Sequence, residues 1–181
     1  LKIIKINIIK MKLLNLILYG YIFGNIIPSL LKYNNFYIGL DGVEYYGEVH
    51  TTKLNSVIHS IFMPFTIYGM FLLIPKVILP KKYNNSYEYA YKINFFLYVT
   101  YMTHYISINK YIGLLTSIYY YIPLQLSRNQ IEFKKGILIS TTALSIQELL
   151  GHWLSGDDPS RLEAIPNAII YAIYFSVSHF F

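Results

Sequence analysis

The chain has 181 residues, 55% of them hydrophobic and 13% charged, with a mean hydropathy of +0.40. An ordinary soluble domain carries about 25% charged residues, so the polar side chains are too few to cover a soluble surface and the composition predicts a membrane protein. The absence of cysteine excludes disulfides, thiolate metal sites and cysteine nucleophiles. The net charge of +6 accompanies abundant Ile, Asn, Lys and Tyr, a pattern that biased nucleotide composition produces by itself. With no basic stripe interleaved with stacking aromatics, no nucleic-acid partner is expected.

Six apolar stretches follow one another, 13–31, 54–75, 91–108, 111–126, 136–152 and 165–181. A spanning helix needs about 20 apolar residues, in a range of about 17–25. The first two and the last meet that length; the middle three are marginal and carry Asn94, His104, Gln125 and Gln147. The expected fold is all-α, a polytopic membrane helical bundle with roughly four to six membrane-embedded helices. The chain opens on Leu1, which makes Met11 a candidate start. Stretch 13–31 reads as a retained anchor, an in-plane helix or a cleaved signal sequence.

Polar connections separate the stretches. Residues 32–53 hold Asn34, Asn35, Asp41, Gly42, Glu44, Gly47 and Glu48, and Ser155-Gly-Asp-Asp-Pro-Ser160 reads as a turn feeding a helix that starts near Ser160 or Arg161, with Pro159 close to its start. If all six stretches span, three basic groups share one side: Lys2, Lys5, Lys10 and Lys12; Lys76, Lys81, Lys82 and Lys92; Arg128, Lys134 and Lys135. That is a positive-inside pattern.

On this six-span map His50, His59, His104 and His152 all fall at one membrane face, and His179 near the opposite end of the last segment. Four imidazoles at one level make a metal site geometrically feasible, and imidazole suits Fe, Zn, Cu and Ni. Taken singly, each histidine reads more readily as an interfacial polar group, and their convergence at one face favours a site. Asn55 and His59 are spaced i,i+4, as are Glu148 and His152, which puts each pair on one helix face. A carboxylate one turn from a histidine can share its metal or orient its ring; Glu148 can equally reach the interface or pair with a cation.

No two histidines are closer than the nine-residue step from His50 to His59, which excludes the tight histidine boxes of membrane desaturases and H-E-x-x-H. Serine-hydrolase and P-loop signatures are also missing. The stretch EVHTTKLNSVIHSIFMP over residues 48–64 places His50, Asn55, His59 and Pro64 in a His…Asn-x-x-x-His-x-x-x-x-Pro pattern; further on come Glu148, the pair Gly151-His152, Pro159 and Phe175. Together these resemble the two signatures of the Mpo1-like family, long catalogued as a domain of unknown function. The resemblance covers about residues 45–181, leaving 1–44 as an N-terminal extension with a signal or membrane anchor.

That resemblance implies an iron(II)-dependent dioxygenase of the endoplasmic reticulum membrane that uses O₂ to shorten 2-hydroxy fatty acids by one carbon in α-oxidation. It implies Fe(2+) held by His50, His59 and His152, with Asn55 and Glu148 supporting ligands or substrate. His104 joins as a fourth ligand from its place on the map, outside the motif. The chain departs from the family at Glu148, where a Gln is usual, and at Gly156, where a Glu is usual and Asp157 or Asp158 is the nearest carboxylate. A Glu of the family's last helix falls at His179. The competing expectation is a non-enzymatic membrane protein, a scaffold or lipid binder that keeps the fold with an altered site. A transporter ranks below both, because the stretches lack paired charges along a pathway. The sequence does not bear on oligomeric state.

Overall fold

The computed structural model describes residues 12–34, 36–158 and 165–179. Met11, the first three lysines and the helix start at Pro159–Arg161 lie outside them. The described residues are helical, with no strand among them. In chain order the α-helices are α1 (Leu13–Tyr33), α2 (Leu40–Gly47), α3 (Lys53–Ile78), α4 (Tyr87–Ile108), α5 (Lys110–Leu126), α6 (Phe133–Ile146) and α7 (Ile165–Ser178). Gln147–Trp153 continues α6 as a turn of π-helix.

Each of the six apolar stretches forms one long helix. Helix α2 is additional, and it lies in what reads as a polar loop. It crosses the 44/45 boundary drawn between extension and domain, and its Tyr46 enters the main core beside Met102, Tyr105 and Tyr120. Helix α1 also belongs to the bundle: it lies on α4, where Gly20 fits against Val99 and Gly24 against the Thr100 carbonyl. Among the described residues, α1 and α3 are the two helices long and apolar enough to cross a membrane.

Helix α3 carries Pro64 and Pro75. A proline inside a helix leaves the carbonyl four residues earlier without its N–H partner, here Ser60 O and Phe71 O. Both are satisfied from neighbouring helices: the Tyr119 hydroxyl of α5 donates to Ser60 O at 3.0 Å, and Asn94 Nδ2 of α4 donates to Phe71 O at 2.8 Å. The two prolines therefore fix where α4 and α5 dock on α3.

Helix α6 runs against α3 with almost no side chain between them. A Cβ on Gly136 would sit 2.7 Å from Gly69 O, and one on Gly69 would sit 2.7 Å from Gly136 O. The Ser140 hydroxyl lies in the same seam, bonded within its own helix to Gly136 O at 2.8 Å. Small residues are how helices approach closely where water does not drive them together. This contact sets the height at which the π turn meets the start of α3. Gly136→Leu should therefore lower stability by about 1–3 kcal/mol through overpacking, read as a lower thermal midpoint in detergent. Leu138→Ala, two residues on at a 65% exposed site, should leave the midpoint nearly unchanged.

Candidate metal centre

Three histidines converge from three places in the chain: His50 in the turn after α2, His59 one to two turns into α3, and His152 in the π turn. All three are buried, at 2%, 3% and 1% exposure. Ring centroids lie 4.6 Å apart for His50–His59, 4.6 Å for His50–His152 and 5.2 Å for His59–His152. One ligand nitrogen from each falls within 4.8 Å of the other two, so the group is placed to hold a metal ion.

The protonation pattern follows from the hydrogen bonds. Nδ1 of His50 meets Tyr46 O at 2.8 Å, Nδ1 of His59 meets Asn55 O at 3.2 Å, and Nδ1 of His152 meets Asp158 O at 2.6 Å. A carbonyl oxygen can only accept, so each Nδ1 carries the proton and each Nε2 keeps a lone pair in the neutral ring. Backbone carbonyls orient metal-bound imidazoles in this way. His50 lies outside the long helices; burial, then the neighbouring His59, pulls its pKa down to about 3, so it is neutral at physiological pH. Its Nε2 is buried with no hydrogen-bond partner, an arrangement that costs free energy unless another ligand satisfies it. A cation at the triad would do so, and three neutral imidazoles fit an intermediate first-row metal better than Mg²⁺ or Ca²⁺.

The local sequence explains the convergence. A π turn holds more residues than an α turn, and such turns recur at functional sites. Here the wider turn brings Gln147, Gly151 and His152 to the buried side together. Gly151 lies against α3: a Cβ there would sit 2.7 Å from Asn55 Oδ1 and 3.1–3.2 Å from the His59 ring. Only glycine admits His152 at this distance.

Asn55 Nδ2 donates to Asp157 Oδ2 at 2.8 Å and contacts Val49 O at 3.4 Å. These two acceptors fix the carboxamide orientation. Asp157 also accepts from Thr51 Oγ1 at 2.5 Å, Thr52 N at 3.1 Å and Thr52 Oγ1 at 3.0 Å. Burial raises the Asp157 pKa, but these hydrogen bonds outweigh it and hold the carboxyl at about 2. The ionised carboxylate thus ties the segment after His152 to the segment between His50 and His59.

Other residues singled out by the sequence lie elsewhere. His104 is buried on α4 but stays outside the triad; its Nε2 lies 3.3 Å from the Tyr171 hydroxyl, and it lines a separate cavity between α1 and α4. A linear map gives depth along a helix but not direction around it, which is why His104 shares the level and not the site. His179, expected at the opposite end, packs on Phe175 at 4.2 Å, and Phe175 packs on His50 at 5.1 Å. One ring separates it from the triad. Glu148 is exposed, at the edge of an apolar cavity of about 400 Å³ that reaches His59 and Tyr46.

Sequence reasoning passed over Gln147, which is 1% exposed and donates through Nε2 to Thr66 Oγ1 at 2.9 Å and Ala143 O at 3.2 Å. Its signal is the spacing of five to His152, which reads as off-face in an α-helix and on-face in a π turn. Compared with known proteins, the chain matches no family model, no curated protein and no solved structure. The geometry predicts that Gly151→Ala lowers metal affinity about 10–100-fold, the range for disturbed support of metal ligands, while helical circular dichroism is kept. Asp157→Ala should act in the same direction. A metal titration on each purified variant checks both.

Proposed function

We propose that this chain is a membrane-embedded iron(II) dioxygenase that shortens 2-hydroxy fatty acids by one carbon. One observation carries the reading: three buried histidines bring one ring nitrogen each within 4.8 Å of the other two, and His59 among them lines an apolar cavity. His50, His59 and His152 would hold the iron, which when bound supplies activation of O₂ toward the substrate. With one O₂ per substrate the reaction balances as 2-hydroxy acid to the acid one carbon shorter, CO₂ and water.

The chain's own residues do the positioning. Tyr46 O, Asn55 O and Asp158 O aim the three rings, and Asp157 with Asn55 clamps the two ligand-bearing segments together. The cavity between α3, α4, the π turn and α7 is walled mainly by apolar side chains such as Met63, Ile67 and Ile173, which suits an acyl chain and keeps water from the reacting end. Gln147 supports the family resemblance as well. It stands five residues before His152 instead of four, and the π turn absorbs the extra residue, so a glutamine faces inward where the resemblance calls for one.

Membrane embedding of between four and six helices belongs to the same proposal, as does an endoplasmic reticulum address. It draws support from large apolar side chains exposed on every long helix, among them Leu14, Phe65, Tyr87, Ile118, Leu138 and Ile169. Exposed apolar area on that scale marks a surface made for lipid or partners.

Metal analysis tests the reading directly. Protein purified under reducing, iron-replete conditions should carry stoichiometric iron, and His59→Ala or His152→Ala should lose it with the fold intact. Supplied with 2-hydroxypalmitate and O₂, the wild type should yield the acid one carbon shorter. A metal-free wild type would sink the oxygenase in favour of a lipid binder that keeps the fold.

A further inference from the structure

The cavity beside the triad has a direction. Helix α3 lines it with His59, Met63, Ile67, Met70 and Ile74 in turn, one stripe at helical spacing. The triad stands at its first turn. At the other end Phe71, Ile74 and Leu97 close in, and behind Ile74 lies a separate packed cluster of Leu79, Ala90, Ile93 and Ile131. The cavity is therefore a slot with a polar head end and an apolar floor, and Met70, one turn before that floor, is exposed. Its side opening is flanked by Leu144, Glu148 and Ile169, all exposed, from α6, the π turn and α7.

We propose that this slot is a length gauge for a single acyl chain, with the polar head at the triad and Ile74 setting the floor. The inference rests on the oxygenase reading for the identity of the head group and on geometry for the gauge. From His59 to Ile74 the helix rises about 22 Å at about 1.5 Å per residue. An extended chain gains about 3.5 Å per three bonds, so about 18 carbons span that distance. The helix rise therefore favours single chains of up to about 18 carbons.

The polar groups along the walls agree with this. Thr66 Oγ1 accepts from Gln147 Nε2, and the Tyr98 and Tyr120 hydroxyls are bonded to Ser117 O and the Ser176 hydroxyl, which leaves Gln147 Oε1 as a buried acceptor in the wall. Apart from that one oxygen, such walls suit a chain with its polar atoms at one end.

The test uses the full chain, stripped of metal, in nanodiscs of one fixed lipid composition. Binding of saturated 2-hydroxy fatty acids of 10 to 22 carbons is measured for wild type and variants. The ratio of variant to wild type at each length cancels partition of the probe into the bilayer. Ile74→Trp should weaken binding of chains of 16 carbons and longer at least ten-fold, and leave 10- and 12-carbon chains within two-fold. Ile74→Ala should strengthen 18- and 20-carbon chains about three-fold. Leu97→Trp, on the facing helix, should repeat the first pattern and serves if Ile74→Trp does not fold.

Ratios that are flat across chain length in folded variants overturn the gauge. The oxygenase reading fails separately: length-selective binding by a wild type that never takes up iron keeps the gauge and removes the enzyme. Iron and turnover with flat ratios do the reverse.

Discussion

Three imidazoles meet at one point only if the segment carrying His152 comes within van der Waals reach of α3, and Gly151 is where that contact is made. The missing side chain lets Asn55 and the His59 ring lie directly on the backbone of the π turn. Further along the same pair of helices, Gly69 and Gly136 bring α3 and α6 together in the same way. The site is thus the last contact in a seam of small residues. Its accuracy depends on backbone meeting backbone, which leaves few soft side chains to absorb error.

The electrostatics of the site follow from its burial. All three candidate ligands are held by backbone carbonyls, and the nearby carboxylate Asp157 spends itself on Thr51, Thr52 and Asn55. A divalent ion there would keep its full charge, since no ligand neutralises it. Burying such a charge is costly without a counter-charge, so the loaded site would favour an anionic partner. A fatty acid brings a carboxylate on one end of a chain that the adjoining cavity can hold. Under the proposed reading, the electrostatic and apolar halves of the site would favour the same kind of molecule.

Much of this was readable in the sequence, for reasons that differ from residue to residue. The six long helices follow from runs of apolar residues that no loop could accommodate. Asn55 and His59 stand out because helical spacing puts them on one face, and His50 and Gly151-His152 stand out through the resemblance to the two family signatures. Helix α2 was not readable: Asp41, Gly42, Glu44 and Gly47 resemble a loop, and tertiary contacts hold the helix, with Gly42 against Tyr171 and Tyr46 against Phe175. His104 was drawn into the site because hydropathy reports depth and is silent on azimuth. Glu148 was read at α-helical spacing from His152, a spacing the π turn does not keep, and Gln147 was overlooked for the same reason.

The π turn also makes the reading frame of α6 matter in an unusual way. A helix packed at both ends cannot lose an extra residue by rotating, so the residue stays as a bulge. Shortening Gln147–Trp153 by one, at Leu149 or Leu150, would relax the turn to an α-helix while the Gly69–Gly136 seam and His152 hold its two ends. Gln147 would then stand four residues before His152, the α-helical spacing, and keep its inward place, with Glu148 only three before it. A single codon thus separates a bulged from a regular helix on one unchanged bundle, with the same neutral amide beside the triad in both.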